Sequence, residues 1–266
     1  FDSGIQAAIV SEKFYGFVPR DLTYWVVTDT LHAYQQIALL HRRNLNLPVV
    51  AVTGSVGKTT TRELIRAVLS PLGEIVASRG NENNDIGVPK TLLRGSKADA
   101  AFVIEMGMRG FGQIKRLSRV AEPDIAIITN VGQAHIGILG SRENIAKAKS
   151  EITSNLRSDG VVIIPFGDNL LEKALSEKWS GRIVRVAIEG YLVNWLGRND
   201  EYFAFQGIQP DYISQIDMQN NFIFFEGYKF HLPLQGRHNA MNFLMALIVA
   251  IELGVSIKNL DQIKVN

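Results

Sequence analysis

The chain has 266 residues, 46% of them hydrophobic and 20% charged, a balance ordinary for a soluble globular protein with a sizeable core. Its formal charge of +2 is too small to make nucleic acid or an anionic membrane the main partner. With no cysteine there is neither a disulfide framework nor a thiolate metal site, which suits a reducing compartment.

The chain shows no basic-then-apolar pattern at its start; it opens on Phe1 rather than Met and stops inside a helical pattern, "IKNLDQIKVN", so it reads as an internal piece of a longer protein. The apolar run Ala7 to Val10 and the stretch "WVVTDT" predict two short strands. From Thr30 the spacing of Leu31, Tyr34, Ile37, Ala38 and His41 predicts a helix, with Asp29 and Thr30 as candidate N-caps. A polar hinge, "NLNLP", follows it.

From Leu47 onward strands and helices alternate. "VVAVT", "AFVIEM", "DIAIITNV" and "GVVIIP" are Val- and Ile-rich runs of the kind that parallel strands covered on both faces require. Helical patterns lie between them at Thr60–Leu69, Gln113–Val120, Glu143–Leu156 and Asn169–Lys178. The expected fold class is therefore α/β, a mostly parallel sheet flanked by helices. After Gly181 short β segments take over: "RIVRVA", "YLVNWLG", "YFAFQGI", "YISQIDM" and a hairpin turning at Glu226-Gly227, an additional small β region. A last helix is expected over Asn239–Leu253. Its apolar run is shorter than a bilayer span and carries Glu252, which argues for a core helix.

The stretch "VVAVTGSVGKTTTRELIRAVL" joins a buried strand to an amphipathic helix through a glycine turn. Polyphosphate is recognised by successive backbone N–H groups at a helix N-terminus, and Gly54 and Gly57 permit that close approach. Lys58 is placed to meet the terminal phosphates and the Thr59 hydroxyl to meet a magnesium ion. The usual phosphate-loop pattern has glycine where this chain has Val52.

Other polar groups fall at strand ends. Glu105 closes "AFVIE", a position outside which open α/β sheets bind ligands, although a lone strand-end glutamate also serves as a cap or surface residue. Asn130 and His135 follow "DIAIIT", and Lys147 and Lys149 lie on a charged helix that by itself reads as a solvated face. Five amides and carboxylates crowd Asn81–Asp85, as in many solvated turns. Asn239 suits an N-cap, with Asn242 on the same helix face.

Taken in order, these motifs resemble the Mur ligase family, the amide-forming enzymes of peptidoglycan synthesis. "AVTGSVGKTTT" is similar to that family's ATP-binding loop, whose shorter glycine spacing accounts for Val52. The resemblance implies a P-loop-type central domain over 47–266, with residues 1–46 left from an N-terminal domain that holds the UDP part of the substrate, plus its linker helix. A Rossmann-like C-terminal domain would complete the family's arrangement. It implies nucleotide contacts from Gly54, Ser55, Val56, Gly57, Lys58, Thr59 and Thr60, with Asn239 and Asn242 near the adenine.

"GNENNDIGVP" looks like the loop of the D-alanyl-D-alanine-adding branch, which puts Asn83, Asn84 and Asp85 beside the incoming substrate. Lys58, Glu105, His135 and Lys149 would form the catalytic set. Thr59, Glu105, His135 and Lys149 would hold two Mg2+ ions, with Lys149 as a carbamate made with carbon dioxide. Lys147 would face another side of the helix. The implied partners are ATP, a UDP-N-acetylmuramoyl tripeptide and D-alanyl-D-alanine; a cytoplasmic monomer without nucleic acid or membrane insertion is expected. A folate- or cyanophycin-type ligase and a non-catalytic nucleotide-binding subunit stay open as alternatives. The Asn-rich loop and "TNVGQAH" favour the peptidoglycan enzyme, and the presence of Glu105, His135 and Lys149 argues against a degenerate subunit.

Overall fold

A computed structural model describes residues 4–19, 21–189 and 208–260. It begins with β1 (Ala7–Ser11) and β2 (Thr23–Val27), which pair in parallel as a sheet of their own. Helix α1 (Thr30–Leu45) starts as expected at Asp29, whose carboxylate accepts the His32 N–H at 3.0 Å.

The elements then alternate: β3 (Val49–Thr53), α2 (Lys58–Leu69), β4 (Ile75–Ala77), α3 (Gly87–Leu93), β5 (Ala101–Glu105), α4 (Gln113–Ala121), β6 (Ile125–Ile128), the short α5 (Ile136–Leu139) and α6 (Arg142–Lys149). Next come β7 (Val161–Pro165), α7 (Asn169–Ser176), β8 (Arg182–Ile188), β9 (Tyr212–Asp217), β10 (Phe222–Phe225), β11 (Tyr228–His231) and α8 (Arg237–Glu252).

Strands β3 to β11 form one nine-stranded sheet in the order β11-β10-β9-β8-β7-β6-β3-β5-β4, parallel from β4 to β9 and antiparallel beyond it. Every residue of β3, β5, β6 and β7 is buried, because helices cover both faces. Alternate side chains sort accordingly. Val50, Val52, Val103 and Ile127 pack against α2 and α8, while Val49, Ala51, Phe102 and Ile104 pack with α1, α3, α4, α6 and α7.

The additional β segments extend the main sheet: β9 pairs in parallel with β8, so the hairpin β10–β11 widens it, and Phe230 meets Phe243 of α8 edge-on at 6.3 Å. Two expectations are revised. The expected helix Glu143–Leu156 stops at Lys149 and tightens into a 3-10 turn over Ser150–Asn155. There the Ser150 hydroxyl donates to Ala146 O and the Thr153 hydroxyl to Ser150 O, competing with the helical ladder. Finally, α8 is capped by Gly236, so Asn239 lies inside the helix and its Nδ2 donates to Gln235 O at 2.7 Å. The β segments expected at 191–197 and 202–208 lie outside the described residues, apart from Ile208, which is in no strand.

Candidate active site

Strand β3 feeds β4 and β5 on one side, and the chain then crosses to β6 on the other, so the crevice at the carboxyl ends of β5, β3 and β6 is a topological switch point. The glycine turn after β3 sits there. A Cβ on Gly54 would stand 1.8 Å from Thr129 Oγ1, and one on Gly57, where φ is 82°, would stand 3.0 Å from Asn242 Nδ2. Only glycine fits both positions.

Asn130, at the end of β6, clasps the turn. Its Oδ1 accepts the Val56 N–H at 3.1 Å, its Nδ2 donates to Val56 O at 2.8 Å, and its backbone carbonyl accepts the Ser55 N–H at 3.2 Å. Ser55 Oγ accepts the Gly132 N–H at 2.9 Å, tying the loop after β6 to the same turn. In α2 the Thr61 N–H is bonded to Gly57 O at 2.8 Å, which leaves the Lys58, Thr59 and Thr60 amides at the positive, unbonded end of the helix. Lys58 Nζ folds back onto Gly54 O at 3.0 Å; burial lowers its pKa, and Glu105 opposes that shift.

Glu105 is 2% exposed and carries three side-chain donors. Oε2 accepts the Thr59 hydroxyl at 2.9 Å and Arg62 Nη1 at 3.1 Å, while Oε1 accepts Asn83 Nδ2 at 2.9 Å. In front of this group lies a cavity of about 480 Å³ lined by Lys58, Asn83, Asp85, Arg109, His135 and Lys149 among others. His135 has φ 67° at the start of α5. Its pKa is lowered by burial and by the charges of Lys149, Lys58 and Arg109. Lys149 is 1% exposed, and burial followed by repulsion from Lys58 lowers its pKa to about 7. Lys147 is exposed, as its helix position implied.

A second cavity of about 220 Å³ lies on the other side of the loop, lined by Val56, Gly57, Thr60, Asn130, Asn239 and Asn242 among others. The glycine turn therefore separates a cationic chamber from an amide-lined one. The former suits phosphates and carboxylates; the latter offers the mixed donors and acceptors that a purine edge needs.

Residues 52–250 match the family described as Mur ligase middle domain. The chain belongs to the Mur ligase family. A UDP-N-acetylmuramoyl-tripeptide–D-alanyl-D-alanine ligase of Synechocystis is 39% identical over 254 residues, covering 96% of this chain and 51% of that protein. The enzyme of the same name from Bacillus subtilis is 35% identical over 260 residues, covering 96% and 52%. A crystal structure of MurF from Acinetobacter baumannii superposes with a TM-score of 0.81 at 31% identity, covering all of this chain and 55% of that one. The chain thus spans about half the length of the curated relatives it matches.

Within this Mur ligase domain the residues named from sequence divide by environment. Gly54 and Lys58 line the cationic chamber with His135 and Lys149, whereas Glu105 stands behind Asn83 and reaches the loop through Thr59. Asn83, Asn84 and Asp85 all line the chamber, yet each side chain has an internal partner. Asn84 Oδ1 accepts the Gly87 N–H at 2.9 Å and so starts α3, and Asp85 pairs with Arg116 at 3.1 Å. Sequence reasoning missed Arg62, which looks like a solvated helix residue, and gave Asn130 no role because its partners lie 74 positions away. It also missed Arg109, whose place in the chamber follows from the loop after β5: Gln113 Oε1 accepts the Arg109 N–H at 2.6 Å. Among the described residues no three His, Cys, Asp or Glu side chains group as a metal site.

Proposed function

We propose that the protein containing this chain is an ATP-dependent amide ligase that joins D-alanyl-D-alanine to a UDP-N-acetylmuramoyl tripeptide, a cytoplasmic monomer in peptidoglycan precursor synthesis. The observation that carries this is the gathering of Lys58, His135 and Lys149 around one chamber that also receives the Asn83–Asp85 loop. The relatives named above support the choice of substrates, and a MurF from Thermotoga maritima solved with ADP supports the nucleotide. In this reading ATP lies along Gly54–Thr60 with its adenine beside Asn239 and Asn242. Residues 1–46 are the edge of the UDP-substrate domain, and 47–266 form the ATP-binding domain.

The reaction must bring one anion onto another. The tripeptide carboxylate attacks the γ-phosphorus, ADP leaves, and an acyl phosphate forms; the D-alanyl-D-alanine amine then attacks the acyl carbon, and phosphate and a proton leave. Lys58 and the amides at the start of α2 neutralise the phosphates, a preorganised field of the kind that supplies the largest catalytic share. Thr59 and Glu105 fit Mg2+: a hydroxyl and a carboxylate oxygen 2.9 Å apart are hard ligands, and Mg2+ takes one or two carboxylates with phosphates completing its shell. When bound, that ion supplies charge neutralisation at the transferring phosphoryl group.

Lys149 suits carbamate formation because its pKa of about 7 leaves a large fraction of the amine unprotonated near neutral pH, and that free nitrogen lone pair can attack carbon dioxide and lose a proton. The resulting anion would relieve the repulsion from Lys58 and, with His135, hold a second Mg2+. Asn83, with its amide committed to Glu105, then links the dipeptide loop to the metal ligand. The test is incubation of the complete protein with the UDP-muramoyl tripeptide, D-alanyl-D-alanine and ATP·Mg. Phosphate release together with the pentapeptide product is expected; phosphate release only with folate or arginine substrates contradicts the reading.

A further inference from the structure

Arg62 lies on α2 three positions after Thr59 and is 5% exposed. A guanidinium buried to this degree needs acceptors around its fork. Nε donates to Glu63 Oε1 at 2.9 Å, and Nη2 lies 2.7 Å from the same oxygen. Nη1 donates to Glu105 Oε2 at 3.1 Å and to Gly80 O at 3.2 Å. One edge therefore serves the neighbouring glutamate, and the other reaches the strand end and the start of the Asn-rich loop.

Residues three apart share a helix face, so α2 presents the Thr59 hydroxyl and the Arg62 guanidinium to one oxygen of Glu105. Asn83 holds the other oxygen, and the Glu105 N–H is bonded to Ser78 Oγ at 3.0 Å. Of these contacts, only the one from Thr59 joins two oxygen atoms that a hard cation takes as ligands. Arg62 and Asn83 offer donors alone and remain as orienting contacts when a cation is held.

We propose that Arg62 is a positioning residue: it orients the Glu105 carboxylate toward the cation and ties that carboxylate to the loop carrying Asn83. This rests on the reading that Thr59 and Glu105 hold the cation. Partners of metal ligands, when removed, typically weaken metal binding by about 10- to 100-fold.

The test uses Mn2+ as the probe, titrated by electron paramagnetic resonance in the presence of ADP, alongside ADP binding measured in chelator. Arg62→Met should weaken Mn2+ binding by at least about tenfold and leave metal-free ADP binding unchanged. Arg62→Lys should recover part of the loss, because it restores the charge without the fork. Glu63→Gln, which removes the other ion pair, should bind Mn2+ as the unaltered protein does. Equal Mn2+ affinity in Arg62→Met and the unaltered protein overturns the proposal, as does an equal loss of metal-free ADP binding, the mark of a merely structural role. Should Arg62→Met not fold, Arg62→Lys decides by the same comparison. If the unaltered protein binds no Mn2+ with ADP, the cation reading itself fails and this inference falls with it; if it binds and the variants match it, only this inference fails.

Discussion

At the amino ends of the parallel strands, Arg42 is 2% exposed and held by partners within the chain. Its Nε donates to Ala121 O at 3.0 Å, and Nη2 donates to Glu122 O at 2.9 Å and to the Asp124 carboxylate at 3.0 Å. Asp124 also accepts the Val49 N–H at 2.7 Å and pairs with Arg157 at 3.2 Å. At the carboxyl ends, Lys149 is just as buried, has no salt-bridge carboxylate among the described residues, and feels Lys58 as its main charged neighbour. Arg42 has its buried charge resolved within the chain, whereas Lys149 faces a chamber that it shares with Lys58. Under the proposed function, the difference separates a structural network from a site whose counter-charges would arrive with ligands.

Three substitutions sharpen this contrast. Lys58→Ala should lower ATP-dependent amide formation by about 10³-fold, while urea unfolding stays close to that of the unaltered protein. Asp124→Ala should do the reverse. Leaving Arg42 buried without its carboxylate should cost about 3 kcal/mol in urea unfolding, with ADP affinity unchanged in the folded fraction. Equal effects of both changes on both readouts would erase the distinction between the two ends.

The third effect concerns pH. The folded-state pKa of Lys149, about 7, lies below its ordinary value of 10.5. Between these values the unfolded chain holds a proton that the folded chain has lost, so this group makes stability rise with pH across that window. Below about 7 both states are protonated, and the whole cost of charging the buried amine is present. Lys149→Met, measured in CO2-free buffer, should therefore be more stable than the unaltered protein below pH 7, with the gap narrowing as pH climbs toward 10.5. A gap independent of pH would show that folding leaves the Lys149 pKa at its ordinary value.

Much of this was legible in the chain because local rules coincide at the loop: a doubly buried strand, two glycines whose backbone must approach Thr129 and Asn242, and a helix start. Helix periodicity also separates Lys149 from Lys147 without any tertiary knowledge. What stayed hidden depends on long-range pairing. Arg62 is charged and sits in an amphipathic helix, so nothing local reveals that Glu105, 43 positions later, draws it inside. The shortening of α6 follows from serine and threonine hydroxyls and from Glu151, whose carboxylate accepts the Gly112 N–H at 2.8 Å and holds the 3-10 turn against α4. Asn239 was a reasonable cap by type, but Gly236 occupies that position and frees the amide for Gln235.

The central claim is that the strand tips hold cations and phosphate between Glu105 and the Gly54–Thr59 turn. Crystals grown with ADP and Mn2+, with the metal located by its anomalous scattering, test it most directly. The account predicts one site between Thr59 and Glu105 and another beside His135 and Lys149. Mn2+ found only on exposed carboxylates elsewhere, with ADP bound and Thr59 still hydrogen-bonded to Glu105, would contradict it.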